Sequence, residues 1–258
     1  MHENEDAGPQ YSIRAVDRVC NILDALKASA DGVSLSELSR LAGMPKSSTL
    51  RYLAALEARD YVMKDPYSGL FLEGTALQPA RGRYFEELGK RATTVLTAAR
   101  DAFGETVNLG VLDGTDVRYV AVIESRRSVR LMTAAGAKDN VHSTAIGKVT
   151  LAQLDALRLS EIVNRLKLPA ITPATITTRA GLLEEIRQTA DRGFAADDCE
   201  NQSDGRCVAV PVLGLIMPAG MSVSAPVTRL DSSEFADVAT RLRRYAASLS
   251  AELRAIQL

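Results

Sequence analysis

The chain has 258 residues, 46% of them hydrophobic and 24% charged, with a net charge of −1. That length accommodates two compact domains, and the composition excludes a disordered chain apart from the polar start MHENEDAGPQ. Near-neutral charge excludes a global positive field, so a nucleic-acid partner has to be held by a local patch.

Helical spacing comes first. In SIRAVDRVCNILDAL the apolar positions Ile13, Val16, Cys20, Leu23 and Leu26 form one predicted buried stripe, with Ser12 as N-cap. VSLSELSRLAG carries a capping-box pattern, Ser34 with Glu37, an apolar face of Leu35, Leu38 and Leu41, and a terminating Gly43. A third helix is expected from Pro45, suited to a first helical position, to about Asp60. YVMKDPYSGLFLEG then reads as a hairpin around a Pro and Gly turn. Three short helices followed by a hairpin describe a winged helix-turn-helix over residues 11–75.

Residues 76–103 read as a linker helix. Leu88, Ala92, Val95, Leu96 and Ala99 share one face that should pack against something, a second subunit being one choice. Residues 104–258 form the second predicted domain. ETVNLGVLD, DVRYVAVIE and VRLMTA read as strands, a helical stretch begins near Thr144, and another fills 178–192. FAADDCE, RCVAVPV and GMSVSAP read as strands, and a long final helix opens with an Asp231…Glu234 capping box. The fold class is therefore mixed α/β (α+β), without a regular βαβ repeat or a Gly-rich phosphate loop.

MPKSSTLRYLAAL, residues 44–56, places compact donors and positive charge in the first turns of the third helix, where a helix entering a DNA groove meets base edges and phosphates. Thr49, Leu53 and Leu56 face the core on a helical wheel, with Tyr52 at the margin. Ser47, Ser48 and Arg51 point outward, Lys46 sits at the tip and Leu50 is borderline. Arginine can bond guanine bidentately, serine a base or a phosphate, and Lys64 in the wing could touch phosphate. Residues 11–83 hold 10 Lys/Arg against 8 Asp/Glu, a weak field. Binding of double-stranded DNA should therefore need two or more copies and read a pseudo-palindromic operator.

The sequence resembles the IclR family of bacterial transcriptional regulators over nearly its whole length. The resemblance rests on SIRAVDRVCNILDAL, LSELSRLAGMPKSSTLRYLAALEARDYV, GETVNLGVLDG, HSTAIGKVTLA, RGFAADDCEN, GRCVAVPV and SVSAP, in that order. It implies a winged-helix DNA-binding domain joined by a helix to a GAF-like effector-binding domain, assembled as a homodimer or homotetramer. It also implies a ligand-responsive regulator, a repressor of a nearby catabolic operon, relieved by a small organic acid or aromatic metabolite.

The same resemblance implies an effector site. Asp197 and Cys207, ten residues apart, match a pocket pair of the family, and Ser222 and Ser224 match a serine pair. They alternate with Val223 and so share a face. Gly147 matches the glycine at the start of the helix over the pocket, where free amides could receive a carboxylate with Ser143 and Thr144 as further donors. Leu131 and Met132 are wall candidates. Asp197 would accept a bond from an effector hydroxyl, or meet an acid only if one partner is protonated. The chain departs from the family in LGLIMPAG, a shorter and oilier connection at 213–220, which suggests a larger or aromatic effector or a protein contact.

Plainer readings stand beside these. Cys207 in CVAVPV suits a small core residue, and His142 a structural histidine. Cys20, Cys199 and Cys207 lack metal-type spacing and cannot complete a zinc set with His2 and His142. Reduced thiols in a cytoplasmic protein without metal or cofactor are expected. No apolar run approaches ~18 residues, so no membrane partner is expected. An enzyme using Cys207, with His142 as base and Asp197 as orienter, lacks any nucleophile signature, so the chain is not read as an enzyme. An effector-free architectural DNA binder would show a dry, filled second domain.

Overall fold

A computed structural model describes residues 13–29, 32–74 and 76–254. The polar start and the expected Ser12 cap lie outside them. The chain divides into two units, Met1–Tyr84 and Phe85–Leu258.

The first unit holds α1 (Arg14–Ala28), α2 (Leu35–Leu41), α3 (Lys46–Glu57) and a hairpin of β1 (Val62–Lys64) and β2 (Phe71–Glu73). Its core gathers Ile22, Leu26, Val33, Leu38, Leu53, Val62 and Phe71. The α1 stripe is only partly as expected. Leu26 is buried and Leu23 packs against the core, but Ile22 takes the central place while Ile13, Val16 and Cys20 are exposed. The first two turns of α1 lie beyond that core, and Ile13 occupies the N-cap position without a side-chain bond.

Only the forward half of the first capping box forms. Ser34 Oγ accepts from the Glu37 amide at 3.3 Å, while the Glu37 carboxylate lies 3.9 Å from Arg40. Gly43 takes φ +59°, the left-handed turn that aims α3. Pro45, with ψ 149°, stands one residue earlier than expected, as the N-cap rather than in the first turn. A single isolated bridge ties Val33 to Phe71 of the wing.

The second unit is built on a six-stranded antiparallel sheet in the order β5-β4-β3-β8-β7-β6. The strands are β3 (Thr106–Asp113), β4 (Asp116–Ile123), β5 (Lys138–Asn140), β6 (Ala195–Asp198), β7 (Gly205–Val212) and β8 (Ala219–Pro226). One face carries α5 (Ala145–Leu151), α6 (Ala156–Arg165) and α7 (Arg179–Arg192), whose apolar residues share a core with Val117 and Tyr119 of β4. The other carries α4 (Gln78–Phe103) and α8 (Phe235–Arg254), where Arg241 lies over the Phe103 ring at 4.5 Å and bonds the Ala102 carbonyl. The capping box of Asp231 and Glu234 is complete, on a 3-10 turn that leads into α8.

Three expectations change here. Leu88, Ala92, Val95, Leu96 and Ala99 of α4 are buried within the chain itself, and at Gly89 the helix backbone comes against the Val120 carbonyl. No second subunit is required to cover that face. VRLMTA is not a strand but an irregular segment whose Leu131 carbonyl accepts from Thr106 Oγ1 at 3.1 Å, and the fifth strand is 138–140. Between the two expected helices the chain stops at Leu151 and restarts as α6, because Asp155 caps a new helix by accepting from the Arg158 amide.

Candidate functional site

In the first unit, α3 buries Thr49 and Leu53 and leaves Lys46, Ser47 and Arg51 exposed, with Ser48 half-buried. Thr49 Oγ1 bonds the Pro45 carbonyl at 3.1 Å, so that hydroxyl serves the turn rather than a ligand. Leu50 is 48% exposed, which places it on the outer face. Lys64 is exposed too, yet its ammonium lies 5.7 Å from the Phe71 ring centroid, a cation–π contact within the wing. Tyr67, at the tip of the hairpin, is 98% exposed. The sequence reading passed it over, although an aromatic in a Pro-Tyr-Ser-Gly turn is the signal for an exposed ring.

In the second unit a cavity of about 70 Å3 opens on the α5 face of the sheet, room for about five water-sized groups. Strand register explains it. Asp197 pairs with Cys207, Cys207 with Ser224 and Ser224 with Thr106, so one polar row crosses four adjacent strands. The ten-residue interval between Asp197 and Cys207 is the reach of the β6–β7 hairpin. All four residues line the cavity, as do Leu131 and the exposed Met132 at its mouth.

Ser222 sits one pair further along and outside the lining, joined to the row through Asn108, whose Nδ2 donates to Ser222 Oγ at 3.1 Å and Ser224 Oγ at 3.0 Å. Asn108, Tyr119, Asp139 and Asn201 line the cavity and were not foreseen. One signal was available for Asn108. TVNLGVLD forms a wholly buried strand, and an amide in such a run has to meet a polar partner.

Three of the donors expected at the α5 terminus are engaged within the chain. The Gly147 amide donates to Thr144 Oγ1, Thr144 Oγ1 donates to the Asn140 carbonyl, and Ser143 Oγ donates to Asn201 Oδ1. None of the three lines the cavity. Gly147 is a packing residue, since any side chain there would collide with the Val141 backbone. Nor does the 213–220 connection shape the cavity. It closes the opposite end of β7 and β8, five residues or about 17 Å from Cys207.

Burial pushes the Asp197 carboxyl up to about 7, against the pull of the Asn201 and Glu200 amides that Oδ1 accepts. Burial, then Asp197, pushes the Cys207 thiol up as well, so it stays protonated. Behind Asp197, Lys148 is fully buried in contact with Glu200 and donates to the Ala196 carbonyl at 2.8 Å. His142 lies outside the lining and engages the Pro169 carbonyl at 3.1 Å, with burial lowering its pKa. Among the described residues no cluster of three or more His, Cys, Asp or Glu could hold a metal, and no helix is long and apolar enough to cross a membrane.

An exposed recognition helix in one unit and a small polar-lined cavity in the other define a ligand-responsive, helix-turn-helix transcriptional regulator. The chain belongs to the IclR family, whose helix-turn-helix domain model matches residues 15–66 and whose bacterial transcriptional regulator C-terminal model matches residues 86–251. It is 31% identical to the HTH-type transcriptional regulator XynR of Escherichia coli, over 93% of this chain and 97% of that one. With BhcR of Paracoccus denitrificans the identity is 30%, over 95% and 88%. Among solved structures, the Thermotoga maritima IclR superposes with a TM-score of 0.63 at 26% identity, covering 93% of this chain and 98% of that one. An IclR homolog from Microbacterium hydrocarbonoxydans, solved in complex with 4-hydroxybenzoate, has the same fold, with a TM-score of 0.60 at 20% identity over 93% and 99%.

Proposed function

We propose that this regulator acts in the cytoplasm as a homodimer or homotetramer that represses a nearby catabolic operon through a pseudo-palindromic operator. A small organic acid or aromatic metabolite entering the cavity relieves the repression. The observation that carries this reading is the polar row Asp197–Cys207–Ser224–Thr106, held in register at a small cavity. Lys46, Ser47, Ser48, Leu50 and Arg51 present the DNA-reading face, with Lys64 as a phosphate contact from the wing. Their modest charge supports binding by more than one copy.

In this reading Asp197, Cys207 and Ser224 hold the effector, Leu131 and Met132 close its mouth, and Ser222, Ser143, Thr144 and Gly147 support the walls. An acid effector enters when Asp197 carries its proton and can donate to the ligand carboxylate. The cavity favours few heavy atoms, while the 4-hydroxybenzoate complex of the Microbacterium homolog supports a phenolic ring as the alternative. A cysteine enzyme is disfavoured because the Cys207 thiol is held protonated and His142 bonds elsewhere.

The test is a binding titration of the full chain against duplexes from the DNA flanking its gene, with and without small acids and phenols. A protected pseudo-palindrome that is released by one of them supports the reading. Absence of any protected sequence overturns it.

A further inference from the structure

We infer that the cavity selects an effector carrying a hydroxyl group, and that Asn108 is the residue that reads it. This rests on the proposal that the effector occupies the Asp197–Ser224 cavity. The amide nitrogen of Asn108 is spent on Ser222 and Ser224, at 3.1 and 3.0 Å. Its Oδ1 is buried without a partner among the described residues, although Asn108 stands in the cavity wall. A buried acceptor left bare is costly, and native structures rarely keep one without reason.

No hydrogen bond from the rest of the wall ends on that oxygen among the described residues. Among the described residues none that lines the cavity is Lys or Arg. Two of the wall's side-chain donors are engaged elsewhere. Thr106 Oγ1 donates to the Leu131 carbonyl, and Asn201 Nδ2 to Asp139 Oδ2 at 2.9 Å. A buried acceptor left bare in the wall is completed by a ligand that brings a donor. A hydroxyl aimed at Asn108 Oδ1 does so, and the same molecule without it leaves the oxygen bare. Sites built to bond a hydroxyl reject the analogue lacking it far better than apolar pockets reject an extra one.

The full chain is titrated by calorimetry with three matched pairs: lactate and propionate, 3-hydroxybutyrate and butyrate, 4-hydroxybenzoate and benzoate. In the unaltered protein the hydroxyl member of at least one pair should bind about tenfold tighter or more. Asn108→Leu should remove that preference. Asn108→Asp should keep it, because one carboxylate oxygen replaces Oδ1 while the serine hydroxyls turn to donate to the other. Should Asn108→Leu fail to fold, the preference of the unaltered protein and of Asn108→Asp carries the test. Equal binding within every pair, or a preference that survives Asn108→Leu, overturns the inference and leaves the cavity reading intact. If none of the six binds at millimolar concentration, the cavity reading fails and this inference with it.

Discussion

In α3, Lys46, Ser47 and Arg51 stand in solvent within two helical turns, whereas Asn108, Asp197, Cys207 and Ser224 come from four different strands and are screened by the chain. The difference decides how each site responds to damage. An exposed side chain on one helix can be removed without orphaning a neighbour. In the cavity the bonds are shared, since Asn108 serves two serines and the Asp197 carboxylate takes two backbone amides. Loss of one group there leaves another buried and unmet.

The largest effect should come from breaking the first region beneath its surface. Leu53, 1% exposed, anchors α3 to the three-helix core. Leu53→Ala should cost about 2–5 kcal/mol of that unit's stability. Operator binding should vanish while a ligand-induced thermal shift of the second unit persists. Loss of both responses together would show that the two regions do not answer separately.

Arg51→Ala sharpens the contrast at the surface. It should cost about 1–3 kcal/mol of operator affinity and relax base preference at one position per half-site. Circular dichroism and effector binding should not change. An operator affinity equal to that of the unaltered protein would show that α3 does not enter the groove.

The same contrast governs what could be read in the sequence. The outward face of α3 was legible because its information is local. Ser34, Gly43 and the spacing of Thr49, Leu53 and Leu56 fix which residues turn outward, and Lys46, Ser47 and Arg51 follow. Locality also misled in α1, where Ile13, Val16 and Cys20 continue the apolar period past the end of the core, and periodicity carries no information about where a core stops. The cavity row was reached only through resemblance, because antiparallel pairing sets Asn108 opposite Ser222 across 114 residues. Side chains at Asn201 and Asp139 enter by loops and by an edge strand that no pattern announces. Lys148 was a further unread local signal, a charge inside the buried helix AIGKVTL that demands a partner such as Glu200.

Protonation offers a smaller and more specific probe. Asp197 has its pKa raised from 3.8 to about 7 by burial. A raised carboxyl favours the folded state when protonated, so its contribution is fully present below the unfolded value and is lost as pH rises through about 7. Burial raises Glu200 as well, so it acts in the same sense, with Lys148 opposing. The thermal midpoint of the second unit should therefore fall between about pH 4 and pH 7, and Asp197→Asn should flatten much of that slope. A carboxylate effector should weaken about tenfold per pH unit above 7, since Asp197 then repels it. A midpoint that rises over this range would show Asp197 ionised and held by its two amides instead.

The smallest expected effect lies in the wing, where the first region comes nearest to the shared-contact character of the second. Lys64 is paired across the hairpin with Phe71 and places its ammonium 5.7 Å from that ring. The contact is worth about 0.5–1 kcal/mol at an exposed site, similar to what a single phosphate contact adds, so the two uses compete for one charge. Lys64→Met keeps an unbranched apolar stem over the ring and removes the charge. If the ammonium leaves Phe71 for phosphate, the salt dependence of operator binding should lose about 0.9 from its log–log slope per bound wing. The thermal midpoint should barely move. An unchanged slope with a lower midpoint would assign Lys64 to the packing of the wing, leaving α3 to carry the charge that reaches the duplex.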